Sequence, residues 1–122
     1  MLFPKTRIFP LRWRQQQWPV CSRKESAVLP KHFCGQGETT GGVNASAARI
    51  GEQELREIHF PAMQACCDAG VDGVMAAYNE IDGVYCHSNP WLLRDVLREE
   101  MGFQGIVMAD GLAVDFLKKY RR

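Results

Sequence analysis

A single carboxylate, Asp110, follows the short apolar run Ile106–Ala109. Two residues of this run, Ile106 and Val107, are β-branched, so the run predicts a buried strand of a parallel sheet. Asp110 is then the first polar side chain past the carboxyl end of the strand, where parallel α/β folds bind ligands and carry catalytic groups. A carboxylate in that place is suited to act on a substrate. Alternatively, it caps a helix that begins near Leu112.

Further polar side chains follow two other apolar runs. Lys31 and His32 come after residues 27–29, which predicts a first strand that ends near Lys31. Residues 71–78 predict a second strand that ends at Tyr78. In a parallel sheet these ends and Asp110 lie on one rim. This convergence favours a functional role for Asp110 over a capping role.

Two helices are predicted to connect these strands. Residues 52–69 carry apolar side chains at helical spacing, and Gly70 is a suitable helix stop. Asn89 followed by Pro90 predicts an N-cap and first helical residue, and Gly102 ends that second helix. With a further helix after Asp110, the order predicts an α/β fold of about three βα units with parallel strands.

The predicted loops contain two glycine patterns. Residues 34–42 form a glycine-rich loop that lacks the Gly-Lys-Ser/Thr of a phosphate-binding loop and the dinucleotide fingerprint, so we expect a flexible loop near the substrate. The pair Asp82 and Gly83 predicts a tight turn with positive φ.

Composition limits the class of protein. The chain has 122 residues, of which 46% are hydrophobic and 24% charged, as expected for one small globular domain. Residues 1–29 hold six Lys/Arg and one acid, so the remainder is acidic on balance and carries no basic nucleic-acid footprint. Residues 1–26 read as an irregular basic extension before a partial barrel over 27–122. No run approaches the roughly 18 apolar residues of a membrane span.

The five cysteines are odd in number and form no CxxC pair. Since the N-terminus also lacks the apolar segment of a secretory signal, we expect reduced thiols and a cytoplasmic location. Cys86 is followed by His87, but no second pair has zinc-site spacing, so neither a metal nor another cofactor is expected.

Several segments, in order and in one register from about residue 27 to 117, resemble the family 3 glycoside hydrolases, most of all their β-glucosidase-type members. The segments are residues 31–33, 34–42, 54–57, 74–83, 97–103 and 107–110. Because they occur together, the resemblance is more specific than any one of them.

This resemblance implies part of a (β/α)8 barrel and a retaining mechanism on a β-glucoside or a related glycoside. It implies that Asp110 is the nucleophile and that Lys31 and His32 hydrogen-bond hydroxyls of the sugar. Met75 and Tyr78 would line the same subsite. Taken alone, Met75 also suits a core position, and Tyr78 also suits a bond to a backbone group.

The chain departs from the family pattern in two respects. Gly111 stands where the family usually has Trp, which removes a wall of the sugar site. A barrel needs about 250 residues, and the resemblance places an acid/base Glu further towards the C-terminus. We therefore expect a fragment that is inactive alone and needs the missing barrel segments of a full-length protein.

Two other interpretations remain open. In the first, Lys31 is the Schiff-base lysine of an aldolase-type barrel enzyme, which borohydride would trap with a carbonyl substrate. In the second, the rim binds carbohydrate without turnover, and no covalent glycosyl adduct forms.

Overall fold

The computed structural model describes residues 26–120, so the predicted extension over 1–26 lies, apart from Ser26, outside the described residues. None of the helices in this part of the chain is long and apolar enough to cross a membrane. The strands are β1 (Lys31–Phe33), β2 (Ala47–Ala48), β3 (Gly73–Ala76), β4 (Glu80–Ile81), β5 (Val84–Tyr85) and β6 (Ile106–Ala109). The helices are α1 (Glu52–Glu54), α2 (Phe60–Asp68), α3 (Trp91–Glu100) and α4 (Ala113–Tyr120).

The main sheet has the order β1-β3-β6, and both pairings are parallel, as predicted. The predicted bounds of the first strand are wrong, because β1 begins at Lys31, where the prediction ended it. Pairing with β3 sets these bounds. The Met75 N–H donates to the Pro30 carbonyl at 3.1 Å, and the Ala77 N–H donates to the Phe33 carbonyl at 2.7 Å.

The predicted helix over residues 52–69 is present from α1 to α2, joined by a widened π-type stretch at Leu55–His59. This stretch ends two residues before Pro61, which has no N–H to donate to the preceding turn and therefore disrupts regular α-helical bonding. Gly70 ends the helix with φ 76°, a left-handed conformation that glycine adopts without a steric penalty.

The N-cap predicted for the second helix is confirmed. The Leu92 N–H donates to Asn89 Oδ1 at 3.1 Å, and Pro90 has the helical φ of −64°. Helix α3 is built of π-type turns, and it ends before Gly102, whose φ is 68°. These local signals were sufficient to place both ends of α3.

The helical segment from α1 to α2 and helix α3 pack on one face of the main sheet and enclose the core. Its largest fully buried side chains include Phe33, Leu55, Val74, Leu92, Val96 and Leu97. The opposite face of β6 is exposed, since Ile106 is 69% and Met108 44% accessible. The prediction of a fully buried strand is therefore wrong for this face, because β6 is an edge strand and no described element covers it there.

A second, small sheet was not predicted. It has the order β2-β4-β5, with β2 parallel to β4 and β4 antiparallel to β5. The β4–β5 hairpin turns through Asp82 at φ 50° and Gly83 at φ 77°, which confirms the predicted positive-φ turn. The glycine-rich stretch 34–42 contains two tight 3₁₀ turns, Gln36–Glu38 and Thr40–Gly42.

The Cys86 thiol and the Asn79 amide join the hairpin to the backbone that follows β1, and the Cys34 thiol is also buried. Cys86 Sγ lies 3.6 Å from the Cys34 carbonyl, and Asn79 Nδ2 donates to that carbonyl at 3.2 Å. Burial raises the pKa of Cys86 to about 11. Burial, and secondly the neighbouring Cys86, raise the pKa of Cys34 further still.

These pKa shifts predict a pH dependence of stability. A thiol whose pKa is raised in the folded state stabilises the fold fully below its unfolded pKa, about 8.5, and loses that contribution as the pH rises towards the folded pKa. We expect the free energy of unfolding to fall by about 2 kcal/mol per thiol by pH 10. Urea unfolding at pH 7 to 10 measures the slope, and the double variant Cys34→Ala/Cys86→Ala should flatten it. If unfolding free energy fell as steeply with pH in that variant, the pH dependence could not come from these two thiols.

Candidate active site

The carboxyl ends of β1, β3 and β6 lie side by side on one rim of the main sheet. Because Ala76 pairs with Ala109, residues that follow these two strands are neighbours across the sheet. Asp110 comes directly after β6, and alternation along the strand puts it on the same face as Met108, away from the packed helices. Its carboxylate is 19% exposed, so it is accessible to a ligand yet largely shielded from bulk water.

His32 makes a direct contact with Asp110. The two atoms His32 Nε2 and Asp110 Oδ2 are 3.2 Å apart, and the His32 side chain is 25% exposed. An ionised carboxylate can only accept hydrogen bonds, so the contact is favourable when Nε2 carries a proton. The contact fixes one orientation of the carboxylate at the end of β6.

Lys31 lies in the same strand but is exposed, and the ion pairs found among residues 26–120 do not include it. The side chain of β1 that contacts Asp110 is therefore His32. Met75 is half-buried and pairs in register with Lys31 on one side and Met108 on the other. This row puts Met75 on the sheet face that carries Asp110.

Tyr78 contacts the loop that follows Asp110. Its hydroxyl accepts a hydrogen bond from the Leu112 N–H at 3.2 Å. Gly111, between Asp110 and Leu112, has φ 38°, and a Cβ built on it would collide with the Tyr78 hydroxyl. The sequence predicted Tyr78 as a subsite residue, with a bond to a backbone group as the alternative, and the structure shows that backbone bond.

Sequence reasoning missed the residues that support the rim. Arg98 donates to the carbonyls of Phe103 at 3.1 Å and Gly105 at 2.6 Å, which orders the segment leading into β6. Asn79, fully buried next to Tyr78, ties β1 to the hairpin. Both residues stand beside charged residues in the sequence, so no pattern distinguishes them from exposed polar side chains. Over residues 26–120, no cluster of three ligating side chains is arranged to hold a metal ion.

The profile of the Glycosyl hydrolase family 3 N terminal domain matches residues 20–122. A β-glucosidase from Rhizobium radiobacter is 44% identical over 85 residues, which are 69% of this chain and 10% of that protein. A β-xylosidase from Formosa agariphila is 42% identical over 81 residues, which are 66% of this chain and 11% of that protein.

Solved structures of β-glucosidases are also similar to this chain. The crystal structure of β-glucosidase from Listeria innocua superimposes with a TM-score of 0.74 at 36% identity, over 77% of this chain and 13% of that one. The same enzyme has been solved in complex with gluconolactone, with isofagomine and with glucose. The chain thus spans about a tenth of the length of its relatives, and its three parallel βα units are part of a TIM-barrel-like fold. The match over residues 20–122 shows that the chain belongs to glycosyl hydrolase family 3.

Proposed function

We propose that this chain is the part of a retaining β-glycosidase that carries the nucleophile, Asp110, and acts on a β-glucoside or related glycoside. The observation that supports it most is the place of Asp110 at the carboxyl end of β6, with His32 Nε2 3.2 Å from Oδ2. Relatives named β-glucosidase and β-xylosidase support the substrate class.

The proposed reaction begins with attack of the Asp110 carboxylate on the anomeric carbon, which gives a covalent glycosyl-enzyme. The leaving oxygen receives its proton from a second carboxylic acid about 5 Å from the first, and water then releases the sugar. We place that acid in a part of the full-length protein beyond these residues. The 122-residue chain by itself should therefore not hydrolyse unactivated glycosides, since general acid help contributes about 10²–10⁴-fold.

In this proposal His32 contacts the nucleophile and, together with Lys31, hydrogen-bonds hydroxyls of the sugar. Met75 forms the apolar floor of the sugar site on the same sheet face. The aldolase alternative has less support, because a Schiff-base lysine is activated by desolvation or by a neighbouring cation, whereas Lys31 is exposed.

The stereochemical course of the reaction tests this proposal. The enzyme to be assayed is a chimaera, in which residues 27–117 of this chain replace the equivalent segment of the Listeria innocua β-glucosidase. Proton NMR of the first-formed sugar should show the β-anomer from an aryl β-glucoside. An α-anomer would contradict a nucleophilic Asp110, because a water would then have attacked directly. Borohydride inactivation in the presence of a carbonyl substrate would favour the Lys31 alternative.

A further inference from the structure

The loop after Asp110 has no room for a side chain at residue 111. A Cβ on Gly111 would collide with the Tyr78 hydroxyl, while the Cζ atom of the same ring would lie 3.4 Å away, an ordinary contact. The collision therefore belongs to the hydroxyl and not to the ring. Tyr78 fills the space that a side chain at 111 would need.

The same hydroxyl is bonded to the loop. It accepts from the Leu112 N–H at 3.2 Å, and one residue later the Ala113 N–H donates to the Asp110 carbonyl at 2.9 Å. Ala113 is fully buried, so the second bond is shielded from water. The turn from Asp110 to Ala113 is thus fixed at its middle by Tyr78 and closed by its own backbone.

Asp110 is held from two neighbouring strands. His32, in β1, contacts its carboxylate, and Tyr78, two residues past β3, contacts the peptide that follows it. A displacement of about 1 Å at a reacting group can lower the rate about a hundredfold. Contacts that hold Asp110 in position therefore affect the reaction rate directly.

We propose that Tyr78 is a positioning residue for Asp110, which acts by bonding the Leu112 N–H and by occupying the space over Gly111. Residues 78 and 111 form a coupled pair in this loop conformation, since the tyrosine hydroxyl occupies the space of a Cβ at 111. This inference rests on the proposed function, because the conformation of the loop affects catalysis through the position of the nucleophile.

A double-mutant cycle in the full 122-residue chain tests the coupling through Tyr78→Phe, Gly111→Ala and the double variant. Phe keeps the ring and removes the colliding oxygen, while the backbone strain of Ala at positive φ is the same in both backgrounds. Gly111→Ala should speed hydrogen exchange of the Ala113 amide at least about tenfold more with Tyr78 than with Phe. The Asp110 ¹³Cγ resonance should move in Gly111→Ala and return towards its original position in the double variant.

Tyr85→Phe combined with Gly111→Ala is the matched control, since Tyr85 lies in the hairpin, and it should give no rescue. Equal effects of Gly111→Ala in both backgrounds, or an Asp110 resonance that does not respond, would overturn the proposal. The cycle needs no turnover, so its result is independent of the reaction. Coupling without a glycosyl adduct on Asp110 would leave the positioning of this loop intact and remove the nucleophile assignment instead.

Discussion

Replacing Asp110 with glycine is expected to lower kcat of the chimaera on the order of a thousandfold or more, because the covalent step loses its nucleophile. The fold should be retained, since Asp110 lies at the end of β6 and is not part of the buried core. Steady-state kinetics on an aryl β-glucoside and a thermal melt separate these two effects.

Azide provides the sharper part of this experiment. Glycine leaves space for a small anion, which should attack in place of the carboxylate and give the α-glycosyl azide from an activated β-glucoside. Asp115→Asn is the matched control, because Asp115 is an exposed carboxylate in the first turn of α4 and should keep normal activity. Near-normal turnover in Asp110→Gly would show that another group is the nucleophile.

Replacing His32 with alanine should have the second-largest effect. It removes the imidazole whose Nε2 lies 3.2 Å from Asp110 Oδ2 and which, in the proposed complex, hydrogen-bonds a sugar hydroxyl. Such bonds strengthen in the transition state, so kcat/KM should fall about 30- to 1,000-fold. This corresponds to a loss of about 2–4 kcal/mol in transition-state stabilisation. We expect Lys31→Ala to lower kcat/KM as well, because Lys31 also contacts the sugar in the proposed complex.

His59→Ala serves as the control for this comparison, since His59 lies at the end of the π-type stretch before α2 and has no contact with Asp110 among the described residues. Its effect on kcat/KM should be small at equal protein stability. If His32→Ala loses stability and activity in parallel with no separate kinetic defect, His32 is a packing residue and not a donor.

Local chemistry explains which parts of the fold were predictable from sequence. The positive-φ turn at Asp82 and Gly83, the Asn89 cap and the stop at Gly102 each depend on a few adjacent residues. Strand β6 was also predicted, because β-branched residues between glycines leave few alternatives.

The features that were missed depend on distant pairing. The bounds of β1 follow from its bonds to β3 and not from its own apolar run. Strand β2 has two residues and exists through its pairing with β4. The burial of β6 depends on which elements cover each of its faces, and the sequence of the strand alone does not contain that information. At the site, Asp110 was predicted from its strand end, but its contact with His32 depends on how β1 and β6 flank β3.

Mass-spectrometric mapping of a trapped intermediate tests the nucleophile most directly. A 2-deoxy-2-fluoro-β-glucoside with a dinitrophenolate leaving group should form the glycosyl-enzyme faster than water releases it, because the good leaving group needs no acid and the fluorine slows both steps. After incubation of the chimaera and digestion, we predict that the peptide containing Asp110 carries the added fluorosugar and that Asp110→Gly carries none. A fluorosugar on any other carboxylate, with Asp110 unmodified, would contradict the assignment.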